Sequence, residues 1–162
     1  MSDCLLKMPL EYEPLRKNRF LLRFPSDLGI QEWWVNSASR PTITQNATEI
    51  PFINTSTWVV GRYLWEEITI QLRDPIGPSA SQAVMEWVRL HSESGTGRQG
   101  YAAAYMRDLV LEMLDPNSVS VSCWVLHNCL ITSTSFGDLD YSDDGLATIS
   151  ITVRPQYCIL SY

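Results

Sequence analysis

Between residues 64 and 73 the chain changes character at nearly every step. Leu64, Glu66, Ile68, Ile70 and Leu72 share one parity, and Trp65, Glu67, Thr69, Gln71 and Arg73 share the other. Ile149, Ile151 and Val153 alternate with Thr148, Ser150 and Thr152 in the same way. A helix advances about 100° per residue and would scatter such a set around its surface. A strand puts successive side chains on opposite faces and gathers the apolar ones on one side. Two half-buried strands of this kind call for an antiparallel sheet with one face on a core.

The rest of the chain agrees with a mainly β fold. From residue 119, Val119, Val121, Cys123 and Val125 share a parity opposite Ser120 and Ser122, which predicts a further strand with its valine side inward. Weaker strand patterns lie at Arg19–Pro25, Glu32–Ser37, Pro51–Val60, Met106–Leu114 and Leu130–Phe136, all short and rich in β-branched and aromatic residues. Turn chemistry such as Asp115-Pro116-Asn117 and Asp143-Asp144-Gly145 separates them. Many short strands with such punctuation imply an antiparallel barrel or sandwich.

One segment has a different period. Ala80, Ala83, Val84, Trp87, Val88 and His91 recur at spacings of three and four, predicting a helix over 80–93. Ser79 with Gln82 forms a capping-box pattern, and Gly95 is placed to stop the helix. Trp87 is its expected anchor against a mouth or flank of the barrel. Residues 41–60 are extended and polar, with Thr44, Asn46, Thr48, Asn54, Thr55, Ser56 and Thr57 offering a core little to hold. Such a stretch suits a hairpin arm that leaves its own body and pairs with another subunit. The pattern alone fits a surface loop equally well.

With 162 residues, 45% of them hydrophobic and 19% charged, the sequence is that of one folded domain over 1–162. No apolar run approaches the roughly 18 residues of a membrane helix, and Met1–Leu10 does not resemble a signal peptide, so a soluble protein made inside the cell is expected. The net charge of −6 argues against a basic face that grips nucleic acid. Cys4, Cys123, Cys129 and Cys158 show no CxxC spacing, and separately buried thiols are expected in preference to a zinc site completed by His91 and His127. Gly95, Gly97 and Gly100 spell GxGxxG but follow a helix where a dinucleotide site requires them to open one. An EF-hand counted from Asp140 would put Ile151 at the twelfth position, where a bidentate Glu is needed. No hydrolase, metalloprotease or P-loop motif is present, so neither an enzyme nor a cofactor is expected. Asp138, Asp140, Asp143 and Asp144 form an acidic turn without interleaved basic residues: a solvated face, or a surface that repels a polyanion or meets a basic partner.

Taken in order, several of these residues resemble the tail tube proteins of contractile-tailed bacteriophages, the T-even-like myovirus family. The similarity lies in Arg16-Lys17-Asn18-Arg19-Phe20, Trp33-Trp34-Val35, Ile50-Pro51-Phe52 and Asn54–Thr57. It continues through Trp65-Glu66-Glu67-Ile68-Thr69-Ile70, Arg73-Asp74, the helix with Trp87, Leu139-Asp140-Tyr141 and the Ile149–Val153 strand. The resemblance spans about residues 15–160 and leaves the first fifteen residues and the Pro155–Tyr162 tail unplaced. Pro155 cannot donate to a ladder, so the last strand is expected to break there.

The resemblance implies a small antiparallel barrel of two packed sheets with one flanking helix, assembled as hexameric rings stacked into a tube. It implies a sheath protein outside and a tape-measure protein and transiting DNA inside. Baseplate and tail-terminator proteins would sit at the ends, in a virion assembled in the bacterial cytoplasm. Stable sequence-specific nucleic-acid binding is not implied. Glu66, Glu67, Asp138, Asp140, Asp143 and Asp144 become candidates for the lumen or the ring-to-ring contact, and the residue 41–60 arm for the contact between subunits. Cys4 or Cys158 could cross-link neighbours in an oxidising setting, although free thiols are the expectation. A baseplate tube-initiator or the inner tube of a related injection or secretion machine would use the same fold. A lipocalin-like ligand-binding barrel is a more distant alternative.

Overall fold

The computed structural model describes residues 11–161. The strands are β1 (Phe20–Arg23), β2 (Val35–Ala38), β3 (Ile43–Phe52), β4 (Thr55–Trp65), β5 (Ile68–Arg73), β6 (Arg107–Leu114), β7 (Ser120–Ser135), β8 (Thr148–Arg154) and β9 (Tyr157–Ser161). Two helices, α1 (Ala80–His91) and α2 (Ala102–Tyr105), lie between β5 and β6.

The long strand β7 organises everything. Its first half pairs with β6 on one side and β9 on the other, and its second half pairs with β8, giving the path β1-β6-β7-β8-β5-β2 with β9 alongside β7. All these pairings are antiparallel. β7 therefore belongs to two sheets and turns the corner between them. The corner is chemically marked. Asn128 adopts φ 52°, and its N–H donates to Asp108 Oδ1 at 2.9 Å. Its side-chain amide donates to Gln156 Oε1 at 2.6 Å. Opposite it, Pro155 separates β8 from β9, which run end to end along β7. The expected break at Pro155 is thus where the partner strand follows the bend. The end strands β1 and β2 share no ladder, so the two sheets pack without closing into a barrel.

The core lies between the sheets. Ile68, Ile70 and Leu72 of β5 face Ile149, Ile151 and Val153 of β8, all 2% exposed or less, as the alternation requires. Leu22, Leu109, Leu111 and Leu126 come from the other sheet, and Trp34 and Trp87 fill the space between. At about 25 cal/mol per Å² of apolar surface, two fully buried indoles make a large contribution. Ser79 caps α1 by accepting the Gln82 N–H, and Ala80, Val84 and Trp87 form its buried stripe.

Several local expectations are corrected. The strand read through 64–73 is two strands: β4 ends at Trp65 and β5 begins at Ile68, leaving Leu64 52% exposed on the arm. The inward parity of β7 is Trp124 and Leu126, not the valines. The register sets Leu111 against Trp124 and Leu109 against Leu126, while Val110 and Glu112 oppose Val125 and Cys123 on the other face. Glu32–Trp34 is a 3-10 turn that drives Trp34 inward before β2 starts. Helix α1 stops at His91, two residues early. A tight turn follows it, in which Gly97 takes φ +69° and Ser92 bridges to Gln99. Gly100 passes against the Leu90 carbonyl, where no side chain fits. Gly95 does not end the helix, whose C-cap is Ser92. The short α2 had no sequence signal beyond Ala102-Ala103-Ala104.

Candidate assembly surfaces

Strands β3 and β4 form a sheet of their own, joined to neither of the others. Every residue from Ile43 to Leu64 is exposed. The extended hairpin arm expected over 41–60 is present, with strands over Ile43–Trp65. Its register pairs Ala47 with Val60 and Glu49 with Trp58 on one face, and Thr48 with Val59, Ile50 with Thr57 and Phe52 with Thr55 on the other. Both faces therefore carry large apolar side chains: Trp58 is 62% exposed, Val60 71%, Phe52 71% and Ile50 48%. A two-stranded ribbon is at best marginally stable alone in water. Exposed apolar surface on both of its faces marks an interaction site.

Two details shape the arm. Between Gln45 and Ala47 the register shifts, so Gly61 and Arg62 oppose Asn46 in a bulge. A side chain at Gly61 would lie 3.2 Å from the Asn46 carbonyl oxygen, so glycine allows the two backbones their close approach. At the tip, Ile53 takes φ 50°, uncommon and strained for a β-branched residue, and is 85% exposed. Of the polar arm residues named from sequence, Thr44, Asn46 and Thr48 stand on β3, Thr55, Ser56 and Thr57 on β4, and Asn54 in the turn. Thr44 Oγ1 donates to Glu66 Oε1 at 2.8 Å, and Thr55 Oγ1 donates to the Phe52 carbonyl at 3.1 Å.

The six candidate acids do not form one cluster. Glu66 and Glu67 sit at the base of the arm, where Glu67 pairs with Arg154 at 3.2 Å. Asp138, Asp140, Asp143 and Asp144 lie in the β7–β8 loop, rooted at the opposite end of β5, where the Asp74 N–H donates to the Ala147 carbonyl at 3.0 Å. Six strand residues separate the two groups, roughly 20 Å at the usual rise. Asp140 accepts from the Ser142 N–H at 3.0 Å and the Ser142 hydroxyl at 2.8 Å. These bonds, the backbone one first, hold its carboxyl below the ordinary aspartate value. Asp143 accepts the Gly145 N–H at 2.9 Å. Sequence missed what else this loop carries: Leu139 is 92% exposed, Tyr141 fully exposed and Leu146 79% exposed.

The remaining chemistry-bearing residues act within the fold. Trp87 is fully buried, and its Nε1–H donates to the Tyr105 carbonyl at 2.9 Å. His91 stacks on Tyr105, its Nδ1 2.9 Å from the Trp87 carbonyl, while its Nε2 accepts the Ile131 N–H at 3.1 Å. His127 stacks on Tyr157 and meets Asp108 at 3.1 Å. The histidines and cysteines first weighed as a zinc set are thus not brought together. Among the described residues, no group of three or more His, Cys, Asp or Glu is placed to hold a metal. Burial pushes the Cys129 thiol up to about 12 and the Cys158 thiol up to about 11. Burial, then Glu112, also raises Cys123. Cys123, Cys129 and Cys158 are free. Cys158 is 9% exposed, which removes it as a cross-link to a neighbour, and Cys4 lies outside the described residues.

No protein-family model and no curated protein sequence matches the chain. Solved structures do. The tube-terminating cap of the anti-feeding prophage superposes with a TM-score of 0.75 at 17% identity, covering 99% of each chain. A chain of the sheath–tube complex of the extracellular contractile injection system PVC gives 0.73 at 16%, covering 94% of this chain and 93% of that one. Hcp1 from Flavobacterium johnsoniae gives 0.55 at 10%, covering 88% and 94%. At these identities the likeness is one of fold: the chain shares its fold with chains of the anti-feeding prophage cap and of the PVC sheath–tube complex and, more distantly, with Hcp1.

Proposed function

We propose that this chain is a structural subunit of the tube of a phage-tail-like contractile machine, built from hexameric rings that stack head to tail inside a sheath. The observation that carries the reading is the arm: about twenty residues with large apolar side chains on both faces and, among the described residues, no core to cover them. A subunit whose arm lies against neighbouring copies buries those faces and completes the ribbon. In the contractile bacteriophage form of this reading, the lumen holds a tape-measure protein and then passes DNA, with a baseplate and a terminator at the ends. The particle would be assembled in the bacterial cytoplasm. The net charge of −6 per copy suits a conduit that must release a polyanion. A baseplate tube-initiator, or the inner tube of a related injection or secretion machine, is the alternative form of this reading with the same fold.

A second reading, a single end-ring that caps the tube, is favoured by the end-to-end likeness to a tube-terminating cap. The ligand-binding barrel is disfavoured, because Trp34, Trp87, Leu72 and Ile151 fill the space between the sheets where a ligand would sit. Negative-stain electron microscopy of the purified protein tests the proposal. Hollow rods support the tube, single rings support the end-ring, and monomers at high concentration refute both.

A further inference from the structure

The β7–β8 loop and the cleft at the other end of the β5–β8 ladder differ in charge and shape. At one end, the β7–β8 loop exposes Leu139, Tyr141 and Leu146 among four aspartates, and the sequence from Ser135 to Val153 contains no Lys or Arg. A surface built only to repel a polyanion has no use for three such apolar side chains in water. At the other end, a cleft of about 400 Å³ opens between β1 and β2, end strands that share no ladder among the described residues, and is lined by Leu15, Lys17, Phe20, Ala38, Arg40 and Leu111 among others. Its floor is apolar. Lys17 and Arg40 on its rim are exposed, and neither has an acidic side chain in ion-pair contact among the described residues. The cleft sits at the arm end: the Ser39 N–H donates to the Thr69 carbonyl and the Glu66 N–H to the Thr42 carbonyl, bracketing Arg40.

We infer that the acidic, apolar β7–β8 loop of one copy docks into the cationic, apolar cleft of the next copy along the stack. Leu139 or Tyr141 enters between β1 and β2, and the loop carboxylates face Lys17 and Arg40. The occupant is a second copy because both halves of a complementary pair lie on one chain, at opposite ends of a rigid ladder. They cannot meet within one molecule. A contact between two different patches of the same chain is heterologous, repeats at every layer and extends without closing. Charge placed at the rim of an apolar contact fixes its direction and register more than its strength. The inference rests on the stacked-ring reading and deepens it by naming which surfaces meet.

The test places a photo-crosslinking amino acid at position 141 of the full-length protein and maps its products by mass spectrometry. Crosslinks from one copy to residues 15–20 or 38–40 of another are expected. Alongside it, the pair Asp140→Lys with Asp143→Lys should leave rings intact but cut stacked rods at least tenfold, and Lys17→Glu with Arg40→Glu in the same chain should restore them. Rods whose crosslinks map elsewhere, to residues 1–10 for example, or rods indifferent to the charge changes, overturn this inference alone. Failure of the unmodified protein to form rings overturns the ring reading and this inference with it.

Discussion

The molecule contains two antiparallel ladders of nearly the same chemistry with opposite fates. β5 and β8 alternate strictly, Ile-Thr-Ile-Gln-Leu-Arg against Thr-Ile-Ser-Ile-Thr-Val-Arg, and every inward residue is buried. β3 and β4 are also rich in Ile, Val, Trp and Thr, yet none of their residues is buried. The difference is distribution. A strand with its apolar groups on one parity can satisfy them against a single core. A ribbon with apolar groups on both parities needs cover on two sides, and the described residues of its own chain supply neither. Folding thus draws on one ladder, and the proposed assembly contact on the other.

Substituting the same residue type in both regions separates the two roles. Trp87→Ala removes a fully buried indole and leaves the Tyr105 carbonyl without its donor, so the folded state should lose about 3–5 kcal/mol in chemical denaturation. Trp58→Ala on the arm should change monomer stability by no more than about 0.5 kcal/mol. Its effect should appear in light scattering, as assembly shifted to higher protein concentration. A loss of stability at Trp58 as large as at Trp87 would break the division. Trp87→Phe is intermediate: the ring stays buried but the bond to Tyr105 is lost, at a cost of about 1–3 kcal/mol.

The thiols report on the folding side. Cys129, fully buried and with its thiol pushed up to about 12, should be the last of Cys123, Cys129 and Cys158 to be alkylated in native protein at pH 8. Peptide mass spectrometry over a time course reads this directly, and equal labelling of all three would mean a looser core. The smallest effect belongs to the acidic loop. Asp140 has a folded value below the ordinary 3.8, so its hydrogen bonds contribute above that value and are lost as pH falls through the lowered one. NMR titration should find its midpoint below 3.8, rising toward it in Ser142→Ala. An unchanged midpoint would remove the Ser142 hydroxyl as a cause and leave the Ser142 backbone N–H, which the substitution keeps.

What was legible in the sequence follows the same division. β5, β8 and α1 could be read because a single core imposes a single period on each. The end of β4 could not, because Leu64 and Glu66 keep the parity of β5 while the chain leaves the core. The inward face of β7 was misread for a related reason. Its valines are as apolar as Trp124 and Leu126, and only pairing with Leu109 and Leu111 decides which side is in. The corner at Asn128 and the strand β9 beyond Pro155 depend on contacts far apart in the chain. The arm was visible as an extended polar stretch. Its two apolar faces were not, because the register and the bulge at Gly61 decide which residues share a side.

On the proposed function, the arm is there to be covered by other copies of this chain. Sedimentation of the full-length protein beside a variant with residues 44–64 replaced by a short Gly-Ser linker tests it most directly. Ring-sized or larger species are expected for the first, and for the second a monomer that still unfolds cooperatively in chemical denaturation. Two proteins that sediment alike, both monomeric or both assembled, would contradict it.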